Sequence, residues 1–209
     1  MIYKIDKRFD CRVARSARVL ECAEAFGMGL QDKEFVIYDN LELEVNPGDI
    51  VYITGQSGSG KSLLLRELQS QMENTANIDQ VEIDETKAII DQVGKDTNQA
   101  INMLTLAGLN DAFLFIRKPQ ELSDGQLYRF RIAKLLESNA SVWVADEFGA
   151  VLDRTTAAMV AFNLQKQARS VGATVIVATT HKDLKEELGP NVYVDKEYHE
   201  SIKVEVNRG

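Results

Sequence analysis

The sequence predicts an α/β fold built on a mainly parallel sheet. Residues 50–53 form an apolar run that indicates a buried strand, and a glycine-rich loop and a leucine-rich helical segment follow directly. Two further apolar runs, 141–145 and 174–178, are separated by a segment with helical spacing at 155–169. Buried strands that alternate with helices are typical of parallel sheets, because each parallel connection needs a crossover.

Composition limits the chain to one sizeable core. The 209 residues are 44% hydrophobic and 27% charged, which is ordinary for a soluble globular protein. No apolar run approaches the ~20 residues of a membrane span, and the first residues lack the apolar core of a signal peptide, so we expect a cytoplasmic protein. The net charge of -8 argues against a globally basic nucleic-acid binder.

The remaining elements are predicted from local patterns. Residues 16–26 fit either a helix or a first strand, and the sequence leaves the choice open. Apolar and polar residues alternate within 35–45, which predicts a strand. The other expected elements are a helix at 61–72, short strands at 81–83 and 88–90, helices at 97–106 and 111–117, a helix led by 122–126, and edge strands at 192–194 and 202–206.

The loop after the first buried strand fits the phosphate-binding pattern G-x-x-x-x-G-K-[ST] at every fixed position. It reads Gly55-Gln56-Ser57-Gly58-Ser59-Gly60-Lys61-Ser62. Glycines allow the chain to wrap tightly, so the backbone N–H groups of 58–62 can surround an anion at the start of a helix. We expect Lys61 to reach the β- and γ-phosphates of a nucleotide and the Ser62 hydroxyl to ligate Mg²⁺.

Three later features follow this loop in a fixed order. Residues 122–126 read Leu-Ser-Asp-Gly-Gln, Asp146 and Glu147 end a buried strand, and His181 follows another. With these features the chain resembles the ABC-type ATPases over roughly residues 35–195. The resemblance implies a P-loop NTPase core with a mainly parallel sheet, an antiparallel β subdomain and a small helical insert at about 93–125, all within one domain. It also implies ATP and Mg²⁺ as cofactors and hydrolysis to ADP and phosphate.

The resemblance assigns roles around the bound nucleotide. Asp146 would hold Mg²⁺ together with Ser62, and Gln92 matches the glutamine that senses the ion and the attacking water. Glu147, one residue beyond Asp146, would polarise that water as the general base. His181 would sense the γ-phosphate.

The segment 122–126 is expected to act across a dimer interface. In the family, the residues matching Ser123, Gly125 and Gln126 contact the nucleotide bound to the other subunit, which implies an ATP-dependent head-to-tail homodimer. Asp124 replaces the usual glycine, and a carboxylate beside a triphosphate is repulsive unless it points away or meets a cation. Ser123 or Asp124 would also cap the helix that follows.

Three aromatic residues are candidates for the adenine contact. Phe26 is our candidate for the aromatic residue that stacks on adenine, with Phe35 and Tyr38 as rivals.

The segment between Gln92 and Leu122 is shorter than the insert that docks typical transporter ATPases on membrane domains. We therefore favour a soluble ATP-driven switch with an unknown protein partner. The alternatives are a transporter subunit with a membrane partner and an ATP-binding regulatory module with little turnover.

Overall fold

A six-stranded sheet forms the centre of the protein. The structure is a computed structural model that describes residues 1–197 and 202–208. The strands of this sheet lie in the order β4-β5-β6-β3-β7-β8. Neighbours from β4 to β7 pair in parallel, and β8 is antiparallel to β7. Their bounds are β3 Ile50–Gly55, β4 Thr75–Asn77, β5 Val142–Ala145, β6 Thr174–Thr179, β7 Val192–Lys196 and β8 Ile202–Val206.

Helices cover the sheet and fill the connections between strands. The α-helices are α1 Ala17–Ala25, α2 Lys61–Ser70, α3 Thr97–Leu106, α4 Ala112–Phe115, α5 Asp124–Glu137, α6 Arg154–Val171 and α7 Lys185–Leu188. Short 3-10 helices span Ile78–Gln80, Ile89–Gln92 and Pro119–Glu121. This arrangement confirms the predicted α/β class with a mainly parallel sheet. In the described part of the chain, no helix is both long enough and apolar enough to cross a bilayer.

The central strand β3 is buried along its whole length. Its alternate side chains point to opposite faces, so Ile50 and Tyr52 enter one core cluster while Val51 and Ile53 enter the other. Burial on both faces explains why this strand is a continuous apolar run in the sequence. Trp143 on β5 is also buried.

A separate antiparallel pair lies outside the main sheet. β1 Ile2–Cys11 pairs with β2 Lys33–Glu44, and α1 lies between them in the chain. The Ser16 hydroxyl caps α1 by accepting from the backbone of Val19, so the ambiguous segment 16–26 is helical. Sequence patterning predicted β2 but not β1.

The segment between α2 and α3 differs from the prediction. The expected strands at 81–83 and 88–90 are absent, and the three-residue strand β4 pairs with β5 instead. The Asp84 carboxylate accepts the Thr86 N–H at 2.9 Å, and the Ile89 N–H donates to Arg117 O. Because these turn contacts use the backbone groups, no strand ladder forms there. The helix expected at 111–117 is also shorter, at Ala112–Phe115.

Candidate functional site

A cavity of about 550 Å³ lies where β3, β5 and β6 end. Parallel strands present their carboxyl ends at the same edge of a sheet, which is where α/β proteins bind ligands. Segments far apart in the sequence meet there. The lining includes Ser57, Gly58, Gly60, Lys61, Ser62, Asp146, Glu147, Ala150, Thr179 and Thr180, together with Phe9, Ile37 and Arg66.

The phosphate loop has a shape that requires glycine at two positions. Gly55 has φ +146°, and a side-chain carbon there would lie 1.9 Å from the backbone oxygen of Lys196. Gly60 has φ +100°, and the same carbon would lie 2.7 Å from Ile37 Cγ2. The Tyr38 hydroxyl donates to Gly60 O at 2.9 Å, which ties the loop to β2. Tyr38 is thereby buried beneath the loop, although it was a rival candidate for stacking on adenine.

Lys61 lies at the start of α2 and faces the cavity. Only 8% of the residue is exposed, and its Nζ donates to Gln56 O at 2.7 Å. Burial lowers the pKa of Lys61, while the nearby carboxylates of Asp146 and Glu147 act in the opposite direction. The ammonium is therefore held over the loop by one main-chain carbonyl, and an anion in the cavity would offer it a stronger acceptor.

Ser62 and Asp146 form the best candidate for an Mg²⁺ site. The Ser62 hydroxyl donates to Asp146 Oδ1 at 3.0 Å, and the Glu147 N–H donates to the same oxygen at 2.9 Å. A hydroxyl and a carboxylate are hard oxygen donors of the kind Mg²⁺ prefers. In the described ranges, no group of three or more His, Cys, Asp and Glu side chains could hold a metal ion. Phosphate oxygens and water molecules would complete the coordination of an ion here.

Glu147 occupies a backbone conformation that is rare for its type. Its φ is +46°, in the left-handed region, and its side chain is exposed and lines the cavity. The next residue, Phe148, is buried and donates its N–H to Ala178 O at 2.8 Å. The turn therefore directs the Glu147 carboxylate toward the same space as Lys61 and Ser62.

His181 lies beside the cavity without lining it. Thr179 and Thr180 contribute to the lining, and the exposed His181 is the next residue. Its N–H donates to Thr179 Oγ1 at 3.2 Å, and the Tyr52 hydroxyl donates to its carbonyl oxygen. The structure thus fixes the backbone of His181 at the cavity edge.

Gln92 is not brought to the cavity. Its Nε2 donates to the carbonyl oxygens of Asp84 at 2.8 Å and Lys87 at 3.0 Å, and its Oε1 accepts the Asp84 N–H. The side chain therefore stabilises the turn at 84–87. The glutamine that follows β4 is Gln80, and β4 pairs with β5, which leads to Asp146. Neither Gln80 nor Gln92 lines the cavity.

Phe26 is also outside the cavity. It ends α1 with 76% of its surface exposed and is not among the residues that line the site. Phe9 on β1 lines the cavity instead, beside Ile37, and its strand partner is Phe35. Sequence reasoning missed Phe9 because β1 was not predicted, and the pairing of β1 with β2 is a tertiary feature.

Arg66 is a second lining residue that sequence reasoning missed. It follows Ser62 by four positions on α2, and residues with this spacing share one helix face. That spacing could have identified it. Arg66 is exposed and adds a second positive charge at the mouth of the cavity.

Ser123, Gly125 and Gln126 form the start of α5, and none of them lines the cavity. The Ser123 hydroxyl accepts from the Gln126 N–H, and Gln126 Oε1 accepts from the Ser123 N–H at 2.9 Å. This reciprocal capping box assigns the N-cap to Ser123, and Asp124 occupies the first turn. Within one chain, these residues are therefore separate from the phosphate loop.

Comparison with known proteins finds similarity to ATP-binding subunits of the ABC type. A sequence profile of the family described as "ABC transporter" matches residues 38–97. The methionine import ATP-binding protein MetN of Corynebacterium diphtheriae is 28% identical over 198 residues, covering 78% of this chain and 58% of that protein. The cytochrome c biogenesis ATP-binding export protein CcmA of Colwellia psychrerythraea is 25% identical, covering 73% of this chain and 81% of that protein. The chain spans little more than half of the MetN relatives it matches.

Solved structures share the fold. The ATP-binding cassette MJ0796, in a dimeric post-hydrolysis state bound to ADP and phosphate, superposes with a TM-score of 0.68 at 19% identity. The match covers 100% of both chains. A putative metal-chelate type ABC transporter in an inward-facing conformation matches with a TM-score of 0.60 over 84% of this chain and 77% of that chain, at 20% identity.

Proposed function

We propose that this chain, which is similar to ATP-binding proteins of the ABC type, binds Mg-ATP in the cavity at the ends of β3, β5 and β6 and hydrolyses it within a head-to-tail dimer. The observation that carries the proposal is the hydrogen bond between Ser62 and Asp146. It joins the phosphate loop to the acidic pair, 84 positions apart in the chain, at the mouth of one cavity.

The residues divide the work of binding and hydrolysis. The phosphate loop and Lys61 would bind the β- and γ-phosphates, and Ser62 and Asp146 would hold the magnesium ion. When bound, this ion neutralises charge that develops on the phosphates. Glu147 would accept a proton from the attacking water as the water oxygen bonds to the γ-phosphorus and the bond to the β-phosphate oxygen breaks. ADP and phosphate are the products.

Turnover by the purified protein tests this proposal. We expect phosphate release from ATP in the presence of Mg²⁺ and none when the metal is removed with EDTA. Nucleotide binding should be measured on the same preparation by calorimetry. Binding without release would instead support a regulatory module, and the absence of both would reject the assignment.

The partner expected from the sequence needs revision. The shorter insert favoured a soluble switch, but the matched relatives are named as import and export ATP-binding proteins. These names support a membrane partner for this chain. Phe113 and Ile116, between α3 and α5, are large apolar residues with exposed side chains that would suit contact with a protein. A membrane partner would be supported if a membrane protein co-purifies with the wild type from a detergent extract and is lost from the Phe113→Asp variant. If only soluble proteins co-purify, the soluble ATP-driven switch becomes the favoured function again.

Phe9 is our revised candidate for the adenine contact. Replacing it by alanine should weaken ATP binding about tenfold, because stacking of a base on an aromatic ring contributes about 1–3 kcal/mol. Phe26→Ala is the matched control, since Phe26 is exposed outside the cavity and should leave affinity unchanged. Calorimetric titration of both variants with ATP distinguishes them. If only Phe26→Ala weakens ATP binding, Phe26 and not Phe9 is the adenine contact.

Asp124 should limit dimer formation. It is exposed at the start of α5, where a negative charge favours the helix but would oppose a triphosphate on the other subunit. Two like charges at about 4 Å repel by about 1 kcal/mol even in water, so Asp124→Gly should tighten ATP-dependent dimerisation by roughly tenfold. Asp124→Asn removes the charge at nearly constant size and should have a similar effect. Sedimentation with Mg-ATP in a hydrolysis-deficient background checks both; unchanged dimer affinity would mean that Asp124 points away from the nucleotide.

A further inference from the structure

The turn that carries Glu147 is attached to its surroundings at two consecutive residues. The Phe148 N–H donates to Ala178 O on β6 at 2.8 Å, and the Gly149 N–H donates to the Tyr128 hydroxyl on α5 at 3.1 Å. Inside the turn, the Ala150 N–H donates to Glu147 O at 3.0 Å. Glu147 itself has an unfavourable positive φ, so contacts outside the residue must maintain its conformation.

The residue at position 148 makes the first attachment possible. A proline there would have no N–H to donate to β6. Phenylalanine supplies the N–H, and its ring is fully buried with its centroid 6.4 Å from that of Tyr128 in an edge-to-face arrangement. Burial raises the pKa of Tyr128, so its hydroxyl stays neutral and can accept the Gly149 N–H across the physiological range.

The same face of α5 contacts the turn at a second point. Gly125 precedes Tyr128 by three positions, and a side-chain carbon at Gly125 would lie 3.3 Å from Val151 O. Residues with this spacing lie on one side of a helix. The first turn of α5 is therefore seated against residues 149–151, and a shift of the helix start would be transmitted to the Glu147 turn through a hydrogen bond and a close backbone contact.

We propose that Tyr128 is a positioning residue that couples the start of α5 to the carboxylate of Glu147. The inference rests on the proposed function, in which residues 123–126 contact the ATP of the other subunit. Docking of that segment would then set the position of the general base in its own subunit. Each site would become active only when the opposite nucleotide holds α5 in place.

Tyr128→Phe tests this coupling because it removes the hydroxyl and keeps the ring that packs on Phe148. We expect kcat for ATP hydrolysis to fall roughly tenfold while the KM for ATP and ATP-dependent dimerisation stay unchanged. Ser138→Ala is the matched control on the same helix. The Ser138 hydroxyl donates to Leu135 O at 2.7 Å, at the opposite end of α5. The Ser138→Ala variant therefore also loses one hydrogen bond, but this bond does not involve the Glu147 turn.

Amide hydrogen exchange of the nucleotide-free protein gives a readout that does not depend on turnover. The Gly149 amide should exchange faster in Tyr128→Phe than in the wild type, and Ser138→Ala should leave it unchanged. Equal exchange of this amide in Tyr128→Phe and in the wild type would reject the linkage between Tyr128 and the turn. Lack of ATP hydrolysis by the wild type would reject only the proposed function, because the exchange measurement does not require turnover. Faster exchange with an unchanged kcat would overturn the positioning role.

Discussion

Replacing Glu147 by glutamine should reduce ATP turnover by about 10²–10⁴-fold, because the amide cannot accept a proton from water. The protein should still bind Mg-ATP and accumulate as an ATP-bound dimer, since hydrolysis no longer removes the nucleotide that holds the two chains together. Light scattering with and without Mg-ATP measures the dimer, and phosphate release measures turnover.

Folding should be unaffected by this change. Within residues 1–197 and 202–208, the Glu147 carboxylate has no hydrogen-bond or ion-pair partner, and the conformation of the turn depends on backbone contacts. Glu73→Gln, at an exposed residue after α2, is a control for loss of a carboxylate elsewhere. A fully active Glu147→Gln would require another base. If Glu147→Gln binds ATP but remains a monomer, association of the two chains is the step that fails. Asp124 is then the first residue to test.

The predicted site residues that the structure brings together come from short segments. Glycines, Lys61 and Ser62 are adjacent in the chain, and the loop conformation follows from a local pattern between a buried strand and a helix. Asp146 was predicted beside this loop because it ends a buried strand, and ends of parallel strands share one edge. Local sequence was sufficient where the geometry is set by neighbouring residues or by the sheet as a whole.

The structure departs from the sequence expectations where tertiary contacts decide the arrangement. Gln92 was predicted to contact the metal ion because of its position between two motifs. Its side-chain amide instead donates to the carbonyl oxygens of Asp84 and Lys87 in the 84–87 turn. β4 has three residues, too few for an alternating pattern, so the strand that leads to Gln80 was missed. Phe9 reaches the cavity only because β1 pairs with β2 far along the chain. No local pattern predicts that pairing.

Replacing Lys61 by alanine should weaken ATP binding on the order of a hundredfold. The ammonium is nearly buried over the phosphate loop, and loss of one partner of a desolvated charge pair costs about 2–5 kcal/mol. Lys134→Ala is the matched control, because the Lys134 Nζ also donates to a main-chain carbonyl, Gln92 O at 2.8 Å, but lies outside the cavity. Calorimetric titration with ATP should show the loss only in Lys61→Ala, with thermal unfolding confirming that both variants are folded.

The pH dependence of binding separates a charge contact from a structural role for Lys61. Burial lowers the pKa of Lys61 in the free protein, and bound phosphates would raise it again by favouring the ammonium. Binding is then coupled to proton uptake, so ATP affinity should fall as the pH rises through the lowered pKa of Lys61. Lys61→Ala should lose this dependence and Lys134→Ala should keep it. An affinity that falls equally at high pH in all three proteins would contradict the contact, because the titrating group would then lie elsewhere.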